Sequence, residues 1–462
     1  MKPIDLGNDS INKTILRLAI PAMLGQLVNV LYGIVDRMYI GNIAGIGDIA
    51  LGGVGVSVPI TTLLTSFSYL IGVGGAPLLA MNLGAKKKEE AKKILSNGFL
   101  AMLVLSIIIP VITLCFLDPL LRCFGATNEN LVYAHEYMFV YLFGAPFAIM
   151  ALGLNQFIIC QGNSMAGMKT MLIGAIINII LDPIFIFTFK LNVAGAAIAT
   201  VIAQAASFLY TLIVLLRKTE VRINFGNYDM KLILRIMVMG LSPFIILATD
   251  SVVNICLNAA LKQYGGVDAN MYLTVSTITT SFFQLITMPL LGISSGTQAF
   301  ISFNYGANNR DRLMRGERNI LIFAVIFCVV CFGLSFLISK PFIQIFSDNK
   351  EIAEVTSKSI SIFMYGIIPL AFQYCFVDCL TALAKPKAAA FCSLFRKCLI
   401  ISTTFIFPIF MGAIGCFWAE MISDCVSSLV TTIFFLVAFP KIMHRKLVLS
   451  PIFKHHIEEK NS

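Results

Sequence analysis

The sequence predicts an all-α membrane protein: twelve transmembrane helices in two pseudo-symmetric six-helix bundles around a central cavity. Three observations carry that expectation. The 462 residues are 58% apolar and only 13% charged, which is a membrane composition. Twelve apolar runs come near or exceed the roughly 20 residues that a spanning helix needs. Lys and Arg fall in alternate connecting segments, as the two sides of a bilayer demand.

The runs lie near 15–41, 52–81, 94–116, 131–159, 165–189, 191–216, 232–261, 271–301, 319–338, 357–381, 388–411 and 413–438. Several are longer than a bilayer is thick, which implies tilt or extension into the interface. With the N-terminus inside, the inner segments hold 24 of the 34 Lys and Arg and the outer segments 7. Arg17, Arg396 and Lys397 lie within runs. This bias places both termini in the cytoplasm of a multi-pass membrane protein. It also accounts for the net charge of +10 without any nucleic acid. Residues 1–13 are polar and the first run is long, so no cleaved leader is expected. The predicted organisation is an N-terminal lobe over 1–216, a basic linker over 217–231, a C-terminal lobe over 232–438 and a cytoplasmic tail over 439–462.

Most chemistry is absent from the pattern. The twelve cysteines are scattered, and Cys328-Val-Val-Cys331 sits in an apolar run with no nearby His, so it reads as packing. The four histidines make no metal-ligand spacing, and no phosphate-binding loop or catalytic signature is present. No enzyme and no cofactor are expected.

The two halves repeat one another. Asn82-Leu-Gly84-Ala85 ends the second run as Asn304-Tyr-Gly306-Ala307 ends the eighth. Gly74 and Gly296 each stand eight residues before the Asn. Pro21 opens the first run as Pro243 opens the seventh, and Pro146 matches Pro369. At an offset of 220, Gly195, Thr200, Gln204, Ser207 and Thr211 meet Gly415, Glu420, Asp424, Ser427 and Thr431. That spacing puts a polar stripe on one face of the last helix of each half. Related halves with embedded polar residues are the pattern of a transporter that alternates access between lobes.

The candidate site centres on Asn178-Ile-Ile-Leu-Asp182-Pro183. Asn178 and Asp182 are four apart and share a helix face. Pro183 withholds a backbone donor and bends the helix. An ionisable residue inside a span is costly and points to function; the alternative is a hydrogen-bonded carboxyl at a kink. The first run adds Gln26, Asn29 and Asp36 at helical spacing, and the sixth adds Thr200. Asp36 has a plainer reading as a partner of Arg37, but adjacent helical residues point apart. Two carboxylates, an amide and a hydroxyl suit one hard monovalent cation or an exchangeable proton. Like charges in one water-poor pocket resist joint ionisation. In the second half a further polar group comprises Asp250, Asn254, Asn258, Gln373, Asp378, Arg396, Lys397, Glu420 and Asp424; its acids either pair with Arg396 and Lys397 or bind cargo. Some Met and Phe residues suit an adaptable cavity for flat hydrophobic cations.

These motifs, with Gln161-Gly162-Asn163, Gly195-Ala-Ala-Ile-Ala-Thr200 and Gly292-Ile-Ser-Ser-Gly296-Thr-Gln298, resemble the multidrug and toxic compound extrusion (MATE) transporters and their MepA-like bacterial branch, over essentially the whole chain. The resemblance implies a secondary antiporter that exports cationic amphiphilic compounds in exchange for inward Na+ or H+; a monomer in the bilayer is expected. It implies that Asp36, Asn178, Asp182 and Thr200 form the cation site, and that Pro21 marks a bending first helix. Asp250 falls at the acidic position of the family's seventh helix. Gln373 departs from an acidic position in the tenth, and Ser295 and Ala299 stand where Gln and Pro are expected. The embedded Arg396 and Lys397 support one alternative, a lipid-linked oligosaccharide flippase of the same superfamily.

Overall fold

The structure, a computed structural model, describes residues 4–444 apart from 227, 347 and 348. Most of the expected tail, 445–462, lies outside the described residues. A chain in lipid must satisfy its backbone groups internally, and helices do so within one segment. The described residues accordingly form helices and turns, with no strand.

Eleven stretches are long and apolar enough to cross a membrane, the last being Pro386–Met443 at 58 residues. At 1.5 Å per residue that stretch would reach about 87 Å, nearly three times the hydrocarbon thickness. It is in fact two helices separated by the turn Gly412–Ile414, where Gly412 takes a φ of 64°. Twelve spans result.

The first lobe comprises α1 (Ile11–Gly41), α2 (Gly47–Gly84), α3 (Lys88–Cys115), the short α4 (Leu117–Cys123), α5 (Leu131–Ile159), α6 (Ser164–Pro183) and α7 (Asn192–Arg217). The second comprises α8 (Met230–Tyr264), α9 (Ala269–Gly306), α10 (Arg310–Phe346), α11 (Lys350–Ala382), α12 (Pro386–Met411) and α13 (Gly415–His444). Their packing repeats. α5 lies against α2, α3 and α7, as α11 lies against α9, α10 and α13; α6 lies against α1 and α7, as α12 lies against α8 and α13. The helices outrun the apolar stretches. α10 begins with Arg310, Arg312, Arg315 and Arg318, polar residues that hydropathy ends before but helix propensity continues through.

The Gln161-Gly162-Asn163 motif makes a tight junction. Gly162 takes a φ of 80°, Asn163 caps α6 by accepting from the Ala166 amide, and Gln161 accepts from the Val221 amide at 2.7 Å. The linker is therefore docked on the first lobe: Asn97 Oδ1 accepts from the Asp229 amide at 2.7 Å, and Val221 is fully buried.

The lobes touch at one end, here called the basic end because Lys86–Lys88 and Arg310–Arg318 lie there. Glycines let backbones meet. A Cβ on Gly84 would stand 2.0 Å from the Phe303 carbonyl oxygen, and one on Gly306 would stand 1.9 Å from that of Met81. Further in, Gly240 packs on the Leu70 backbone and Gly292 on that of Ala22. Toward the opposite end, Gly33 and Gly55 face open space. The N-terminal segment spans the closed end. The Leu6 carbonyl accepts from Asn304 Nδ2 at 3.1 Å and from Arg312 Nε at 3.2 Å.

Candidate functional site

Asp36 comes from α1, Asn178 and Asp182 from the last turns of α6, and Thr200 from α7. All four are buried: Asp182 is 0% exposed, Asn178 1%, Thr200 8% and Asp36 9%. Asn178 Nδ2 donates to Asp182 Oδ1 at 3.0 Å and lies 3.3 Å from Thr200 Oγ1. The Asp36 and Asp182 carboxyl groups face one another closely enough for their charges to interact. Two carboxylates have no donor between them, so the pair can be held together only with a proton or another cation supplied from outside. Asp36 Oδ1, Asn178 Oδ1 and Asp182 Oδ2 are buried without a partner. The site thus presents several unspent oxygens in a place where each is costly to leave bare. Arg37 is exposed and makes no ion pair with Asp36.

Local sequence explains the placement. Pro183 ends α6, and the chain continues as a π-turn over Ile184–Thr188, a common answer to a lost helical donor. Gly195 of α7 then packs directly on the Phe185 carbonyl, with 2.7 Å between its Cβ position and that carbon. Gly415 does the same against Phe407. The duplication is thus structural as well as sequential, although the second copy has no Asp beside its proline.

Three tyrosines surround the pair and were not singled out from the sequence. Tyr32 lies one turn before Asp36, and Tyr137 and Tyr141 stack on α5 with ring centroids 6.0 Å apart. The charges of Asp36 and Asp182 reach Tyr32 and Tyr137, and Tyr141 is hydrogen-bonded to Gln204. The spacing of Tyr32 from Asp36 was a usable signal; nothing in the chain order points to α5. The α7 stripe divides by task. Thr200 and Gln204 reach the site, whereas Ser207 donates to the Thr170 carbonyl at 3.0 Å and Thr211 to Thr170 Oγ1 at 3.2 Å, pinning α7 to α6.

The second-half residues form a different arrangement. Arg396 Nε donates to Asp424 Oδ1 at 2.7 Å, and Arg396 Nη2 lies 3.5 Å from Glu420. Lys397 pairs with Asp250. Asp250, Glu420 and Asp424 thus have cations of their own, and Asp36 and Asp182 have none. Asp378 stands apart, accepting from Ser294 and Gln298, and Gln373 Nε2 donates to the Cys392 carbonyl at 3.2 Å. Gln26 is half-buried, and Asn29, Asn254 and Asn258 are exposed; none of them joins the Asp36 cluster. Pro21 is buried within a continuous α1. Among the described residues, no group of three or more His, Cys, Asp or Glu is arranged to hold a metal ion.

The chain is 28% identical over 420 residues to the multidrug export protein MepA of Staphylococcus haemolyticus, covering 90% of this chain and 91% of the relative. It is 27% identical to MepA of Staphylococcus aureus strain NCTC 8325, covering 90% and 92%. Its fold superposes with a TM-score of 0.89 on a multidrug resistance MATE family transporter of the MOP superfamily in an outward-facing conformation, at 23% identity over 96% of this chain and 99% of that one. The MatE family model matches residues 21–184 and 251–406, which take in parts of both lobes and three of the four site residues, Asp36, Asn178 and Asp182; the chain belongs to the MatE family.

Proposed function

We propose that this chain is a secondary active multidrug efflux antiporter. It exports small cationic hydrophobic compounds in exchange for inward H+ or Na+, by alternating access of its two lobes. It is a membrane transporter and not an enzyme. The observation that carries the antiport reading is the uncompensated carboxyl pair, Asp36 and Asp182, with Asn178 and Thr200 beside it. A buried acid with no built-in cation must take its positive charge from outside. The names of the MepA relatives support multidrug export.

In the proposed cycle the basic end is cytoplasmic, and the arrangement with that end closed is outward-facing. The cation stabilises one arrangement and the drug the other; coupling needs only that each ligand bind the two states differently. Pro21 and Pro183 serve as the hinges of α1 and α6. Inward movement of one charge down about 100 mV yields about 2.3 kcal/mol, before any concentration gradient. The organisation into lobes over 1–216 and 232–438, with the linker 217–231 between them, supplies the two moving bodies. The transport unit is the single chain, since both lobes come from one polypeptide. The flippase alternative needs free embedded cations for a pyrophosphate, and Arg396 and Lys397 are both ion-paired.

The test is Asp182→Asn in a bacterium lacking its own drug pumps. At normal protein level the variant is expected to lose ethidium efflux. Efflux at the wild-type rate would remove Asp182 from the mechanism.

A further inference from the structure

A second pair of embedded carboxyls lies in the other lobe, outside the ion-paired group around Arg396. Glu317 belongs to the inward stripe of α10, with Leu313, Ile320, Ala324 and Cys328. It is 6% exposed, and its Oε1 has no hydrogen-bond partner. Its carboxyl lies beside the Cys379 thiol of α11, and the charge of Asp378, one residue away on that helix, reaches it. Among the described residues, neither Glu317 nor Asp378 makes an ion pair.

The groups around Glu317 offer it no cation. α11 contributes Cys375, Asp378 and Cys379 beside Glu317, and α9 contributes the neutral Ser294 and Gln298 beside Asp378. Arg312 shares its helix but donates to the Leu6 and Asp9 carbonyls and stands over the Phe300 ring at 5.3 Å. Thiols and an amide are poor partners for a hard metal cation. A carboxylate buried with no counter-charge is too costly to persist, and uptake of a proton removes the charge. In the first lobe the position matching Asp378, nine residues after the corresponding proline Pro146 of α5, is the neutral Asn155. The acid is therefore particular to the second lobe.

The pair also sits where access changes. Ser294 lies between Gly292 and Gly296, which pack on the Ala22 and Leu18 region of α1. Tyr69 of α2 is near enough to feel the charge of Asp378. Both α1 and α2 belong to the first lobe, so parting the lobes at the basic end uncovers this pair to water on that side.

We propose that Glu317 and Asp378 form a second exchangeable-proton site, loaded while the basic end is closed and unloaded there when the lobes part. Its role in transport rests on the antiporter reading; its existence does not. The full-length protein in liposomes is examined by infrared difference spectroscopy across a pH titration. Glu317→Gln is expected to remove a protonated-carboxyl C=O band that Glu317→Asp retains. In weakly buffered solution, ethidium binding should release fewer protons from Glu317→Gln than from wild type, by about one per chain. Band loss with no ethidium-linked release from wild type would keep the proton site and sink the antiporter reading. Unchanged bands and unchanged release in Glu317→Gln would overturn the site. If Glu317→Gln fails to fold, Asp378→Asn is read in the same two assays with the same expectations.

Discussion

Gly306→Ala tests how the lobes are held together. The added Cβ would lie 1.9 Å from the Met81 carbonyl oxygen and 2.6 Å from the Met81 Cα. Real Cβ atoms essentially never approach within 3.0 Å, and both obstacles are backbone. The ends of α2 and α9 must therefore separate by at least the difference, 1.1 Å. Overpacking of this kind costs about 1–3 kcal/mol. The cost falls on the arrangement with the basic end closed, so the equilibrium moves about 5- to 150-fold toward the arrangement with that end open. The control is Gly33→Ala, where nothing lies within 4 Å. Spin labels at Glu89 and Asp311, exposed residues at the starts of α3 and α10, report the separation by pulsed electron resonance. The exposed Cys115, Cys123 and Cys398 are replaced by serine first. Gly306→Ala should add a longer-distance population and Gly33→Ala should not. Identical distance distributions in all three proteins would refute the glycine-contact account.

Two further predictions concern stability. Arg396→Met leaves Asp424 buried without its cation and should cost about 3–5 kcal/mol in denaturant unfolding in detergent, with at least half recovered in Arg396→Met/Asp424→Asn; equal losses in the single and double variants would contradict the pairing. The Asp5 carboxyl lies below its ordinary value of 3.8, chiefly because the Asn8 side chain donates to it, with help from the Gly7 and Asn8 amides. A lowered value in the folded state adds stability that is complete above the ordinary value and lost as pH falls through the lower one. Amide protection of Gly7 and Asn8, corrected for intrinsic exchange, should hold from neutral pH down to about pH 4 and then fall; protection independent of Asp5→Asn would argue against this turn as the anchor.

Twelve spans, duplication and the grouping of the first-lobe polar residues were legible because each leaves a periodic trace. Apolar runs mark the spans, and the spacing of Asn178, Asp182 and Thr200 marks shared or neighbouring faces. Features built from distant segments left no such trace. The stacking of Tyr137 and Tyr141 beside Asp182 depends on how α5 packs, which no local pattern encodes. Glu317 was hidden because it follows four Arg and Asp residues at a helix start, where an acid reads as solvent-exposed. The ends of α10 were missed because hydropathy follows the hydrocarbon and the helix does not stop there. The second-half acids were seen, but sequence left them between ion pairing and cargo binding; the geometry pairs Asp250, Glu420 and Asp424 and leaves Asp378 free of a cation.

The central claim is that uncompensated first-lobe carboxyls couple cation entry to drug exit. Purified protein in liposomes, with Na+ and pH gradients imposed separately, tests it most directly. An inward-directed H+ or Na+ gradient should drive ethidium against its own gradient, and Asp182→Asn should abolish that movement. Failure of both gradients to move ethidium through the wild-type protein would contradict the account.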